Sequence, residues 1–180
     1  DVCSSDLKME KGECDLAIVS EDTEKKLNIS VPLLDDLFQV VCSVRHELAS
    51  KKKISCKELS RHEFVMLRKG SGIRDSLDRA FEKKSIQINV VHETTQVLTL
   101  LGLIEANLGL TVLPSMLCPD QSRGVFAVLP LEKPTIQRRL GLIFPAGREP
   151  TVAARLLGNV IESTVRSSKF TVPVGVIKII

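Results

Sequence analysis

Three stretches of this 180-residue sequence place hydroxyl-bearing residues directly after a short apolar run. Arg68 leads through Gly70-Ser71-Gly72, His92 leads into Thr94-Thr95, and Leu113 leads into Pro114-Ser115. Where a strand gives way to a helix, the first helical N–H groups lack partners and the helix dipole presents its positive end. Ser71, Thr94, Thr95 and Ser115 add hydroxyls able to donate to a carboxylate or sulfate. If the strands are neighbours in one sheet, these groups converge on a crevice for a small anion, built without a dedicated charge. Ser and Thr also cap helices for purely local reasons, so the residues alone leave both uses open. The Gly-Ser-Gly turn lacks the Gly-Lys-Ser/Thr ending of a phosphate-cradling P-loop.

Catalytic chemistry finds little footing. His46, His62 and His92 lie in different segments, none beside a nucleophile or ligand cluster. Asp35-Asp36 is an adjacent carboxylate pair, but successive residues of an extended segment point to opposite faces, and a surface turn is its expected use. Glu93 is the one carboxylate near the expected crevice, where it could shape specificity or complement its own helix dipole. Cys3, Cys14, Cys42, Cys56 and Cys118 are odd in number and contain no C-x-x-C pair, so reduced thiols in a cytoplasmic protein are expected. No enzyme, metal or cofactor is expected.

The net charge of +3 marks no nucleic-acid surface, and Lys51-Lys52-Lys53 reads as a solvated loop. Trp and Tyr are absent, which removes the stacking surfaces of single-strand binders. No apolar run reaches the roughly 20 residues of a bilayer span, and no membrane partner is expected. Asp1 to Leu7 back-translate to a run resembling a common sequencing adapter. Residues 1–7 are therefore expected to be non-native, with the true reading frame continuing upstream of Lys8.

The elements that must position these residues follow from periodicity. Cys14–Ser20, Ile29–Leu34 and Leu37–Val44 read as extended, and Ser55–Ser60 as a short helix. Glu63–Arg68, Gln87–His92 and Leu110–Leu113 read as strands. A helix carrying Ile73, Leu77, Ala80 and Phe81 follows the first of them. A second, carrying Val97, Leu98, Leu101, Ile104 and Leu108, follows the next and is expected to be deeply buried. Val125–Leu131 and Arg139–Phe144 are further strands. A last helix from Thr151 to Val165 shows Val152, Leu156, Val160 and Ile161 on one face, and Thr171–Ile180 is strand-like without an evident partner. Alternating strands and helices predict an α/β fold with a mostly parallel sheet.

In this order the segments resemble a known family. Gly12–Val19 (GECDLAIV) is similar to the G-x-x-D-L-A-I strand of LysR-type transcriptional regulators. Pro32-Leu33 with Leu37 to Ala49 resembles their P-L … D-x-L-V-L-V … H-P-L-A stretch, with His46-Glu47-Leu48 lacking the proline. Leu59–Phe64 and Gly72-Ile73-Arg74 with Phe81 resemble the entry and first helix of their second lobe. Ile104–Pro114 (IEANLGLTVLP) looks like V-A-A-G-L-G-I-A-L-L-P, with Asn107 in place of a helix-ending glycine. Asn tolerates the left-handed conformation next best, so that cap is expected to survive. The peroxide-sensing branch needs reactive cysteines between the Phe64 and Gln87 strands, and none is there.

The resemblance implies a two-lobed fold like that of type 2 periplasmic binding proteins. Two crossover strands, Leu37–Ser43 and Arg139–Phe144, would join the lobes. Residues 8–44 and 139–168 would form an incomplete lobe one, residues 45–138 lobe two, and residues 169–180 a tail of uncertain status. It further implies a small, anionic effector bound between the lobes, with Ser71, Gly72, Thr94, Thr95 and Pro114 as ligand-binding residues. Promoter DNA, contacted through a missing N-terminal domain, and a homodimer or homotetramer are the other implied partners. An incomplete lobe one would leave apolar surface exposed. A solute-binding protein for transport, with the same fold, is the alternative.

Overall fold

A computed structural model describes residues 12–22, 29–133 and 135–179. The expected adapter-derived segment 1–7 lies outside them, as does Cys3. By contacts the chain forms two compact units, one up to Asp36 together with Gln137 onward, the other Leu37–Ile136. The sequence places these steps at 44/45 and 138/139. A strand that runs on unbroken carries no local mark of the point where its neighbours change.

That strand is β2, Val31–Ser43, which fuses the two extended segments expected on either side of Asp35-Asp36. Its apolar residues lie on both faces, so it accepts neighbours along its whole length. In unit one, β1 (Ala17–Asp22) runs antiparallel to β8 (Gln137–Ile143). There β9 (Val176–Lys178) runs antiparallel to the first part of β2, pairing Asp36 with Val176. The strand-like C-terminal stretch therefore has a partner after all. Helix α4 (Val152–Arg166) opens on Thr151, whose Oγ1 accepts from the Ala154 N–H at 3.2 Å. Leu33, Leu34, Leu142, Val165 and Val176 form this unit's main core.

In unit two, the rest of β2 runs antiparallel to β6 (Thr111–Pro114) and to β7 (Phe126–Glu132). Short β3 (Ile54–Ser55) pairs with β7 in parallel and leads into α1 (Cys56–Leu59). Then come β4 (Glu63–Leu67), α2 (Gly72–Glu82), β5 (Asn89–Thr94) and α3 (Val97–Glu105). Phe38, Leu48, Phe64, Leu77, Phe81 and Leu110 pack into the largest core. No helix among the described residues is long and apolar enough to cross a membrane.

The expectation of a mostly parallel sheet is corrected. Parallel pairing occurs in β4–β5 and β3–β7, whereas β2 pairs antiparallel with β6, β7 and β9. Parallel neighbours need a long crossover, and β4–α2–β5 supplies one. Segments returning along the extended β2 need none. Asp35 and Asp36 sit inside β2 rather than in a surface turn. Fully buried Asp36 accepts from Arg138 Nε and Nη2 at 3.1 and 3.0 Å, and Asp35 pairs with Arg139 at 2.8 Å. The basic loop is exposed as expected, though Lys51 is paired with Glu58 and Lys53 with Glu132.

Two helices depart from their expected burial. In α3 only Leu100 and Ile104 are buried, and Leu98 is 82% exposed. A helix apolar on most sides needs partners on most sides, and the sheet supplies one. In α4 the stripe of Val152, Leu156 and Val160 faces outward, while Ala154, Gly158 and Val165 face in. A Cβ on Gly158 would stand 3.0 Å from the Phe144 ring, so this helix approaches its sheet through small residues.

Candidate ligand site

The parallel ladder of β4 and β5 pairs Leu67 with Thr94, and the Arg68 N–H donates to the Thr94 carbonyl at 2.8 Å. On the other edge of β4, Leu110 bridges Phe64 in parallel, with the Val65 N–H donating to Leu110 O at 2.9 Å. Leu67, Thr94 and Pro114 therefore lie at the same, carboxyl end of three parallel segments within unit two. Helices α2 and α3 both start at that end. The strands are neighbours but do not share one sheet, since β4 and β5 form a two-stranded sheet, β6 belongs to the sheet of β2, and Phe64–Leu110 is an isolated bridge between them.

The close approach of β6 to β4 depends on what precedes it. Helix α3 ends with Asn107 at φ 60°, its N–H donating to Ile104 O, and with the Leu108 N–H donating to Leu103 O. This is the Schellman arrangement, with asparagine in the left-handed position usually held by glycine. Gly109 follows at φ 138°, where a Cβ would sit 2.7 Å from Glu63 O. Only glycine lets β6 enter its ladder there.

Each expected site residue can now be placed. Ser71 caps α2, its Oγ accepting from the Arg74 N–H at 3.2 Å, and exposed Gly72 begins the helix. Thr94 Oγ1 accepts from the Gln96 N–H at 3.3 Å. A hydroxyl that accepts a backbone bond keeps its own proton to donate, so capping and ligand binding do not compete at Ser71 and Thr94. Thr95 is exposed beside it. Gln96 gives α3 no side-chain cap, and no acidic residue stands in its first turn. The positive end of that helix is therefore left uncompensated by its own residues.

Pro114 is buried at the end of β6, but the helix expected after it is only a three-residue turn, Ser115–Leu117. A single turn offers neither a row of aligned N–H groups nor a summed dipole. Ser115 is corrected too. It is buried, donates to Leu37 O at 2.8 Å and accepts from Gln39 Nε2 at 2.6 Å, so its proton is already committed.

Glu93 Oε1 accepts from Arg74 Nη1 at 2.7 Å, and its side chain remains 41% exposed. Arg74 is 4% exposed and also binds Asp78 and Leu67 O. Burial opposes its charge, but the hydrogen bonds it donates to Asp78 and Glu93, with their negative charges, together outweigh burial and raise its pKa. Exposed Arg68 and Lys69 stand at the carboxyl-end rim together with Asp75, whose Oδ1 accepts from the Gly70 N–H at 3.0 Å. The resemblance carries Arg74 only as part of the Gly72-Ile73-Arg74 motif. Its i,i+4 spacing from Asp78 on an otherwise apolar helix face was the legible signal.

His46 Nδ1 accepts from the Leu48 N–H, and His62 lies edge-on to it, with ring centroids 5.3 Å apart and Glu47 at 3.2 Å. Burial first, then His62, lowers the pKa of His46. Burial pushes the Cys42 and Cys56 thiols up to about 11. Cys14 and Cys118 are half-buried, and none of these four cysteines is in a disulfide. No group of three metal-ligating side chains occurs among the described residues.

Comparison with known proteins adds independent findings. The profile of the family described as LysR substrate binding domain matches residues 7–166. A curated relative, the uncharacterized HTH-type transcriptional regulator YybE of Bacillus subtilis, is 28% identical over 141 residues, 78% of this chain and 48% of that protein. The chain thus spans about half the length of the curated relatives it matches. Among solved structures, the CcmR regulatory domain of Synechocystis in complex with 2-PG superposes with a TM-score of 0.76 at 24% identity, covering 93% of this chain and 81% of that one. The effector binding domain of QuiR in complex with shikimate gives 0.71 at 20% identity, covering 89% and 76%.

Proposed function

This chain belongs to the LysR substrate-binding-domain family, and from that premise we propose that it is the ligand-sensing part of a bacterial transcriptional regulator, with the carboxyl-end rim of unit two as a site for a small anion. Ser71 and Thr94 donate hydroxyl protons to the ligand, Gly72 and Thr95 bring backbone N–H groups within reach, and Pro114 closes the floor. The observation that carries this reading is the shared end of β4, β5 and β6, from which α2 and α3 both start. Two solved structures of the same fold are complexes with 2-PG and with shikimate. Ligand binding biases the arrangement of a cytoplasmic homodimer or homotetramer on promoter DNA, contacted by a helix-turn-helix domain of the same polypeptide.

Calorimetric titration of the chain with 2-PG and shikimate, against an uncharged polyol, tests the site. An acid is expected to bind and the polyol not to. Ser71→Ala and Thr94→Val should each weaken the acid about tenfold, the scale of a lost bond to a charged group. Binding that ignores both substitutions, or that favours the polyol, overturns the assignment.

A further inference from the structure

We propose that Arg74 is the positioning residue of this rim, one guanidinium that holds the end of β4, the end of β5 and the first turns of α2 in a fixed mutual arrangement. The inference rests on the ligand site above, but its geometry stands by itself. Nη1 donates to Leu67 O, the last carbonyl of β4, at 2.9 Å and to Glu93 Oε1 on β5 at 2.7 Å. Nε donates to both carboxylate oxygens of Asp78 on α2, at 2.8 and 2.9 Å. The Arg74 amide bonds Ser71 Oγ, so the residue that aims the cap is also the one tied to both strands.

An apolar side chain of similar size would fill the same space without fixing direction. A planar fork with several donors fixes the angle between the elements it binds, which a single ammonium cannot do. Arg74 contributes to charge as well as to geometry. It answers Glu93 next to Thr94, while Arg68 and Lys69, which form no ion pair among the described residues, remain at the strand exit. The carboxylate that remains beside Ser71 is Asp75 in the first turn of α2, whose Oδ1 accepts from the Gly70 N–H at 3.0 Å.

The test compares Arg74→Lys with Leu77→Ala, which removes buried volume from the same helix but leaves the guanidinium in place. Backbone amide spectra are recorded first without ligand, then with inorganic phosphate. In Arg74→Lys the amides of Gly70–Ile73 and Thr94–Val97 should shift together before phosphate is added, and phosphate should bind about tenfold more weakly. Leu77→Ala should lower the unfolding midpoint further, yet bind phosphate as the parent does once corrected for the folded fraction. If Arg74→Lys does not fold, Glu93→Gln removes one arm and should shift Thr94–Val97 while sparing Asp78. Unmoved amides in both segments, or an equal phosphate loss in Leu77→Ala, overturn the proposal. A parent chain that ignores phosphate counts against the anion site alone, and the ligand-free shifts then decide the role of Arg74.

Discussion

Helices α2 and α4 carry the same kind of sequence pattern and meet their sheets in opposite ways. In α2 the apolar stripe turns inward, with Leu77 and Phe81 buried and Ile73 packed beside them. In α4 the small residues Ala154 and Gly158 turn inward, and Val152, Leu156 and Val160 are 74%, 60% and 59% exposed. Periodicity states that a helix has an apolar side. It does not state that the side is covered. Where a glycine permits an approach as close as that of Gly158 to Phe144, the backbone itself becomes the packing surface.

The comparison breaks most visibly through Phe81→Ala. Removing this ring should cost about 3–5 kcal/mol in denaturant unfolding, as for other fully buried aromatics. A loss below roughly 1 kcal/mol would mean that α2 is packed no better than α4.

Alkaline titration sharpens the contrast between units, since Cys42 and Cys56 both lie in unit two. Their pKa is raised from the ordinary 9.0 to about 11. Below pH 9 both thiols are protonated in the folded and the unfolded chain, and stability is complete. Between pH 9 and 11 the unfolded chain releases protons that the fold retains. Unfolding therefore becomes easier by at most about 1.4 kcal/mol per thiol per pH unit, and the loss levels off above pH 11. Hydrogen exchange across that range should loosen unit two; uniform loosening from pH 8 would contradict it.

The smallest effects concern α4 itself. Gly158→Leu should cost about 1–3 kcal/mol by forcing the helix off Phe144. Leu156→Ser, two residues away, should stay within about 0.5 kcal/mol and reduce self-association in light scattering. Reversed magnitudes would show that the apolar stripe of α4 is a covered surface in solution.

Much of unit two was legible because its signals are local. The Ser71 cap, the i,i+4 stripe of α2 and the tolerance of Asn107 for the left-handed region each depend on residues within one turn. The family resemblance rested on such segments, and so did the candidate site. What escaped the sequence is non-local. The Asp36–Arg138 pair joins residues 102 positions apart, and nothing near Asp36 distinguishes a buried carboxylate from one in a turn. Ser115 looked like a free donor because its partners, Leu37 and Gln39, stand on another strand. The clamp at Arg74 lay between these cases, half visible as an i,i+4 pair and half hidden in β4 and β5.

The burial of the two thiols also has an optical consequence. With neither Trp nor Tyr, the polypeptide is nearly dark at 280 nm and emits no useful intrinsic fluorescence. Cys42 and Cys56, buried and protonated at neutral pH, should ignore a maleimide dye. Cys118 is half-buried, its Sγ 3.5 Å from Pro114 O at the end of β6. With Cys3 and Cys14 replaced, a fluorophore there becomes the molecule's one lamp, mounted beside the rim whose occupancy it would report.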